Sequence, residues 1–150
     1  MALSQRIMED LKSAMKAGNA ELLGVLRMLH ASLKNKSIDK KGKGQSEELT
    51  DEDVIEVLGK EAKKRKESAE AFINGGRTDL AEKEKKELAI VEAYLPKQMN
   101  AEEVRAAVEK IISGLSDTSN FGLVMKTVMA ELKGKADAKM VSEIIKEKVS

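Results

Sequence analysis

The sequence predicts an all-α protein, and three observations lead to that fold class. Helix-forming Ala, Glu, Lys, Leu and Met dominate the 150 residues, whereas there are only ten glycines and one proline. Apolar residues recur at intervals of three and four, the spacing of one helix face. No segment alternates strictly between apolar and polar residues, as a half-buried strand would. We therefore expect seven helices and no sheet.

The first two predicted helices lie on either side of Gly18. Helix one spans about Ser4–Lys16, and Gly18 supplies its C-terminal stop. Helix two begins after Asn19, a residue type that caps helix N-termini well. Its apolar stripe weakens at the stretch Lys34–Ser46, which is rich in lysine and contains two glycines. This composition predicts that helix two ends there in a mobile loop.

Helices three and four are predicted to form a long antiparallel hairpin. Thr50 followed by Asp53 is a variant of the capping box that starts helix three. That helix continues to about Asn74 and should span about 36 Å. Helix four starts after Thr78, beyond two consecutive glycines. The first four helices are thus expected to form an N-terminal four-helix unit.

Pro96, the only proline, marks the predicted domain boundary. Proline cannot continue a helix, and it biases the preceding Leu95 away from helical dihedral angles. We therefore expect an N-terminal helical domain of residues 1–96 and a small C-terminal domain of residues 97–150.

The C-terminal domain is predicted to contain three helices. Asn100 caps helix five, with Glu103 completing the capping box. Helix six follows the polar run before Phe121 and ends at Gly134, and Asp137 caps helix seven.

Composition argues against several classes of function. Aromatic residues are only 2% of the chain, which argues against binding single-stranded RNA by stacking bases on aromatic rings. The absence of cysteine excludes thiol catalysis and cysteine-bound metals, and a single histidine, His30, is too few for a di-iron bundle. We expect no catalytic residue, no metal and no cofactor. The formal net charge of +1 does not by itself indicate nucleic-acid binding.

The sequence also suggests a location. No apolar run approaches 18 residues, and the N-terminus lacks the apolar segment of a signal peptide. We therefore expect no membrane association and a cytoplasmic protein.

Two basic clusters are candidate contacts for nucleic-acid phosphates. The first is the run Lys63–Lys66, which contains Lys63 and Arg65 and is either a solvated helix face or a phosphate-contacting patch. The second comprises four lysines that bracket the turn between helices six and seven: Lys126, Lys133, Lys135 and Lys139. There the turn at Gly134 and the N-terminus of helix seven are expected to add backbone donors. The alternative is that Gly134 only terminates a helix.

Several segments, in order along the chain, resemble one family. They are Val25-Leu26-Arg27-Met28-Leu29, Leu33-Lys34-Asn35-Lys36, Glu61-Ala62-Lys63-Lys64-Arg65, Gly76-Arg77-Thr78-Asp79-Leu80-Ala81-Glu82-Lys83-Glu84, Tyr94-Leu95-Pro96-Lys97-Gln98-Met99, Phe121-Gly122-Leu123-Val124-Met125-Lys126 and Leu132-Lys133-Gly134-Lys135-Ala136-Asp137. Their order and spacing resemble the YqeY branch of the GatB/YqeY family over essentially the whole chain.

The resemblance implies a four-helix front and a three-helix back similar to the tail of GatB, a subunit of the glutamine-dependent amidotransferase that acts on mischarged tRNA. It therefore implies a link to tRNA. Our leading hypothesis is a non-catalytic helical module, associated with tRNA or with tRNA-dependent amidotransferase biology, that binds tRNA weakly through the phosphates of the RNA backbone. Two alternatives stay open: an adaptor that contacts a protein in a translation-related complex, and an accessory to a carbon–nitrogen ligase that uses glutamine as amide donor. Arg27, Arg65 and Arg77 match recurrent family positions, and ion pairing with Glu84 or Glu87 is the other interpretation of these arginines.

Overall fold

A computed structural model of the protein describes residues 2–149. The predicted all-α class is confirmed, because seven helices hold 77% of the described residues and no strand occurs among them. The helices are α1 (Leu3–Ala17), α2 (Ala20–Gly42), α3 (Asp51–Asn74), α4 (Thr78–Glu92), α5 (Ala101–Ser113), α6 (Phe121–Leu132) and α7 (Ala138–Val149).

The chain divides into two compact units, Met1–Leu95 with α1 to α4 and Pro96–Ser150 with α5 to α7. Each unit has its own apolar core, formed by the helix faces that carry residues at intervals of three and four. That residues 1–96 and 97–150 are separate domains stays a prediction.

Side-chain caps begin α2, α3, α5 and α6, and a glycine ends α1. Gly18 closes α1 in the left-handed region, with φ of 69°. At the start of α3, the Asp53 amide donates to the Thr50 hydroxyl at 3.2 Å, and the Thr50 amide donates to the Asp53 carboxylate at 3.0 Å. This pair confirms the predicted capping box.

The core of the first unit joins all four of its helices. α3 and α4 follow each other through a turn of three residues, in which Gly76 has a φ of 75°, and they pack along one another. The α1 and α2 stripes close the core from the other side. Its fully buried large side chains are Ile7, Val25, Leu26, Leu29, Val54, Leu58 and Val91.

The second unit has a smaller core that is built mainly from β-branched side chains. In this core, valines from α5 and α6 pack against the apolar face of α7. The buried residues are Val104, Val108, Val124, Val128, Leu132, Val141, Ile144 and Ile145.

The prediction of a mobile loop over Lys34–Ser46 is wrong for most of that stretch, because α2 continues to Gly42. Lysine is a good helix former, so the absence of an apolar stripe does not end the helix. Tertiary contacts hold the extension: the Lys40 ammonium lies 2.7 Å from the Asp53 carboxylate, and the Ser37 hydroxyl donates to the Glu47 carbonyl at 2.6 Å. These contacts join residues ten or more positions apart, which helix periodicity does not report.

The Lys40–Asp53 ion pair should control the order of the C-terminal part of α2. In Lys40→Met, we expect backbone amides 36–42 to exchange about tenfold faster, the change expected when one hydrogen bond to a charged group is lost. Hydrogen exchange followed by NMR measures this. Lys41→Met is the matched control, because its ion pair with Glu47 is largely solvent-exposed.

The same ion pair predicts a pH dependence. The hydrogen bond from Lys40, followed by those from Thr50, lowers the pKa of Asp53 from 3.8 to about 2. A carboxylate whose pKa is lowered by folding stabilises the protein above its unfolded pKa. The difference in free energy of unfolding between wild type and Lys40→Met should therefore shrink as pH falls from about 4 to about 2. A difference that is independent of pH would contradict this role.

Candidate nucleic-acid interface

The turn between α6 and α7 has a defined backbone geometry. Lys133 has φ of −56° and ψ of 127°, and Gly134 has φ of 79°. The Lys135 amide donates to the Leu132 carbonyl at 2.9 Å. Together these are the features of a type II β-turn, whose third residue needs a positive φ and is therefore usually glycine. Gly134 thus has a specific conformational role.

Two residues that precede α5 hold this turn. The Gln98 side-chain amide nitrogen donates to the carbonyl oxygens of Pro96 and Gly134, each at 2.8 Å. The Met99 backbone amide donates to the Lys135 carbonyl, also at 2.8 Å. No local sequence pattern identifies Gln98 as functional, although it lies in the segment Tyr94–Met99 that contributes to the family resemblance.

The four lysines predicted around the turn are all exposed. We call Lys126, Lys133, Lys135 and Lys139 the lysine turn. Lys126 lies on α6, and Lys133 directly follows Leu132, the last residue of that helix. Among the described residues, Lys126, Lys135 and Lys139 have no carboxylate within ion-pair distance. The structure therefore leaves several cations of this surface available to a ligand.

Two of the backbone amides near the N-terminus of α7, which the sequence predicted as donors to a ligand, already have acceptors. The Asp137 carboxylate accepts from the Lys139 amide at 3.1 Å, and the Ala136 amide donates to the Leu132 carbonyl. A carboxylate already occupies the position at the helix start where a phosphate would bind. The lysine side chains are therefore the stronger candidates for phosphate contacts at this surface.

The first basic cluster is divided by the structure. Lys63, Lys64 and Lys66 are exposed on α3, whereas Arg65 is only 4% exposed. The Arg65 guanidinium donates to the Glu61 carboxylate at 2.9 Å and lies 3.8 Å from the Glu87 carboxylate. The interpretation of Arg65 as an ion-pairing residue is confirmed, and we remove Arg65 from the candidate phosphate contacts because it faces other side chains.

Arg65 is the centre of a polar network that joins α2, α3 and α4. One of its nitrogens donates to the Met28 sulfur at 3.3 Å, and Ser32 donates to the Glu61 carboxylate at 3.1 Å. The Arg65 Nε atom is buried without a hydrogen bond among the described residues. Burial raises the pKa of Glu61, but hydrogen bonds from Arg65 and Ser32 outweigh it and hold the pKa below 4.5. Glu61 thus stays ionised within the network.

The other two family arginines differ from Arg65. Arg27 is exposed on α2. Arg77 is exposed at the start of α4 and pairs with Asp79 at 3.2 Å. The predicted partners Glu84 and Glu87 therefore apply only to Arg65, and of these two the partner is Glu87.

The first unit also contains a polar pair, Asp10 and Tyr94, that no sequence pattern indicates. The Tyr94 hydroxyl donates to the Asp10 carboxylate at 2.5 Å, and the Arg6 guanidinium lies 5.0 Å from the Tyr94 ring centre. Burial, followed by the bond to Asp10, raises the pKa of Tyr94 above its ordinary value. An open cavity of about 230 Å³ borders this pair. Asp10 and Tyr94 lie 84 residues apart, so no local sequence pattern joins them.

Within residues 2–149, no helix is both long enough and apolar enough to cross a membrane. Across the same residues, no group of three or more histidine, cysteine or acidic side chains is arranged to hold a metal ion.

These features define a class: a helical protein of two compact units, with an exposed lysine surface on the second. The chain belongs to the family described as Yqey-like protein, whose sequence profile matches residues 4–149. The resemblance found in the sequence is therefore confirmed, and the protein is a YqeY-type helical module.

Several fungal proteins named "Altered inheritance of mitochondria protein 41, mitochondrial" are similar to the chain. The protein from Pyrenophora tritici-repentis is 32% identical over 149 residues, which are 96% of this chain and 79% of the relative. The protein from Kluyveromyces lactis is 35% identical, over 83% of this chain and 71% of the relative. For the protein from Eremothecium gossypii the identity is 32%, over 73% of this chain and 59% of the relative.

These relatives correct one prediction. The sequence suggested a cytoplasmic protein, but the relatives carry names that place them in mitochondria. The prediction of a cytoplasmic location is therefore wrong by this comparison. It rested on the absence of an apolar signal segment, which does not distinguish the cytoplasm from other compartments that lack such a signal.

Proposed function

We propose that the protein binds structured RNA, and tRNA in particular, through backbone phosphates at the lysine turn. The observation that carries this proposal is a clamped turn surrounded by exposed lysines, several of them without an ion-pair partner among the described residues. Lysine side chains on a fixed backbone suit phosphate contacts, which position a protein on a nucleic acid without reading its sequence. Lys63 on α3 is a further exposed cation that this proposal includes as a secondary contact.

The choice of tRNA comes from the family resemblance, because GatB acts in an enzyme whose substrate is mischarged tRNA. In this proposal the chain holds RNA and catalyses no amide transfer. With about four phosphate contacts, the logarithm of the binding constant should fall with the logarithm of salt concentration with a slope of about −3 to −4. Binding at physiological salt is expected to be micromolar or weaker, in keeping with the small net charge.

The test is a titration of the purified protein against total tRNA at three salt concentrations, with a DNA duplex of equal charge for comparison. Lys133→Glu/Lys135→Glu is expected to weaken tRNA binding more than tenfold, because it removes two cations and adds two repelling charges. The circular-dichroism signal of the helices should stay unchanged, since both side chains are exposed.

The matched control is Lys83→Glu/Lys86→Glu on α4, which changes the net charge equally at exposed positions of the first unit. It should bind tRNA nearly as well as wild type. Equal losses in the two double variants would mean that net charge alone determines binding, which would contradict a site at the lysine turn. No binding by wild type even at low salt would overturn the RNA proposal and favour the protein-adaptor alternative.

A further inference from the structure

We propose that Gln98 is a positioning residue for RNA binding, which holds the lysine turn in its binding geometry without touching RNA itself. This proposal rests on the proposed function, and it concerns a residue outside the basic cluster. Gln98 lies before α5, whereas the turn that it holds follows α6.

The chemistry of the Gln98 side chain matches its two partners. A primary amide carries two N–H hydrogens and no charge. The Gln98 nitrogen donates to two carbonyl oxygens, those of Pro96 and Gly134, each at 2.8 Å. The side chain therefore ties the chain before α5 to the centre of the turn, 36 residues away. Both N–H donors of the amide are used in this way, and the neutral side chain does not neutralise any of the lysine charges.

The bonded carbonyls lie next to the lysines that the proposed function uses. Gly134 is flanked by Lys133 and Lys135, and the Lys135 carbonyl accepts the Met99 amide at 2.8 Å. These two peptide groups flank Lys135, so fixing them fixes the direction in which the Lys135 side chain leaves the backbone. The hydrogen bond from the Lys135 amide to the Leu132 carbonyl spans Lys133 and ties it to the same turn. A surface whose groups are already oriented loses less conformational entropy on binding than a mobile one. The clamp thus favours phosphate contacts by Lys133 and Lys135.

We expect the second unit to keep its fold without the Gln98 side-chain amide. The turn keeps its own hydrogen bond from the Lys135 amide to the Leu132 carbonyl, and Gly134 keeps its positive φ. Gln98 is half-buried and does not belong to the apolar core of α5 to α7. Losing the side-chain amide should therefore change the orientation of the turn while the helices stay folded.

The experiment compares Gln98→Glu, which has nearly the same shape, with wild type in tRNA titrations at three salt concentrations. A carboxylate offers no donor and places negative charge against two carbonyl oxygens. We expect the affinity for tRNA to fall about tenfold. The plot of the logarithm of the binding constant against the logarithm of salt concentration should become shallower, by the amount expected for the loss of about two phosphate contacts. Gln98→Met is a second variant that removes the donors without adding charge. Gln45→Glu is the matched control, because it changes the net charge equally at an exposed glutamine.

A double-variant comparison separates positioning from a general structural role. In a Lys133→Ala/Lys135→Ala background, Gln98→Glu should cause little further loss of affinity, because the residues that Gln98 orients are already gone. A full additional tenfold loss, or a loss of helicity in both Gln98 variants, would overturn the positioning role. Met99 amide exchange, measured without RNA, should increase in Gln98→Glu and stay unchanged in Gln45→Glu.

The outcomes for the two proposals are distinguishable. If wild type binds tRNA and Lys133→Glu/Lys135→Glu does not, while Gln98→Glu and Gln98→Met bind as wild type does, only the role of Gln98 is overturned. If wild type does not bind tRNA, the proposed function fails, and the role of Gln98 in RNA binding fails with it, whatever the amide exchange shows.

Discussion

Arg65→Ala is expected to lower the free energy of unfolding by about 3 kcal/mol, at the lower end of the range measured when one member of a buried ion pair is removed. The substitution would leave two carboxylates without the cation between them, and the Glu61 and Glu87 side chains are only 12% and 20% exposed. Urea denaturation followed by circular dichroism measures the change.

Lys64→Ala is the matched control for this prediction. Lys64 is the neighbouring residue on α3 and also pairs with Glu61, but its side chain is 73% exposed and the distance is 3.8 Å. Exposed pairs contribute little, so we expect a change within about 0.5 kcal/mol. Glu61→Ala combined with Arg65→Ala should cost less than the sum of the two single changes, because the pair is lost only once. A loss below about 1 kcal/mol for Arg65→Ala would contradict the network's role in stability.

The Arg65 network also predicts how stability depends on pH. The pKa of Glu61 lies below 4.5 in the folded protein, because the hydrogen bonds from Arg65 and Ser32 outweigh the effect of burial. The stabilisation by Glu61 is therefore complete well above pH 4.5 and is lost as pH falls through the lower, folded pKa. The stability difference between wild type and Glu61→Gln should shrink in that acidic range.

The helices could be predicted because local chemistry determines them. The Thr50 and Asp53 cap, the Gly18 stop and the three- and four-residue spacing of the core are all properties of short segments. The part of α2 beyond Lys34 could not be predicted in this way, because its stability comes from contacts with the segment before α3 and with the first turn of α3. Composition alone does not distinguish a lysine-rich helix from a lysine-rich loop, since lysine is frequent in both.

The candidate site shows a similar limit. The sequence identified the lysines around Gly134, and the structure leaves all four exposed. The sequence analysis grouped Arg65 with Lys63, but residues two positions apart lie on nearly opposite faces of a helix, and Arg65 faces the interior. Gln98 was missed because its partner lies 36 residues away. Buried charges and side-chain clamps depend on tertiary neighbours, which a single sequence does not contain.

Leu58→Ala tests whether the two units fold independently. Leu58 is fully buried in the core of the first unit. Its truncation is expected to cost about 2–5 kcal/mol through lost burial and the cavity left behind. Tyr94 is the only tyrosine and there is no tryptophan, so tyrosine fluorescence reports the unfolding of the first unit alone. The urea midpoint measured by fluorescence should fall, while amide exchange in α6 should stay at its wild-type rate.

Ile145→Ala is the reciprocal change, because Ile145 is fully buried in the second unit. A unit of this size has little stability to lose, so the same cost of about 2–5 kcal/mol should remove most of its exchange protection. The tyrosine transition should stay in place. Two transitions that respond separately would support independent domains on either side of Pro96. If either substitution shifts both probes together, the chain unfolds as one cooperative unit, and Pro96 is a break between helices rather than a boundary between domains.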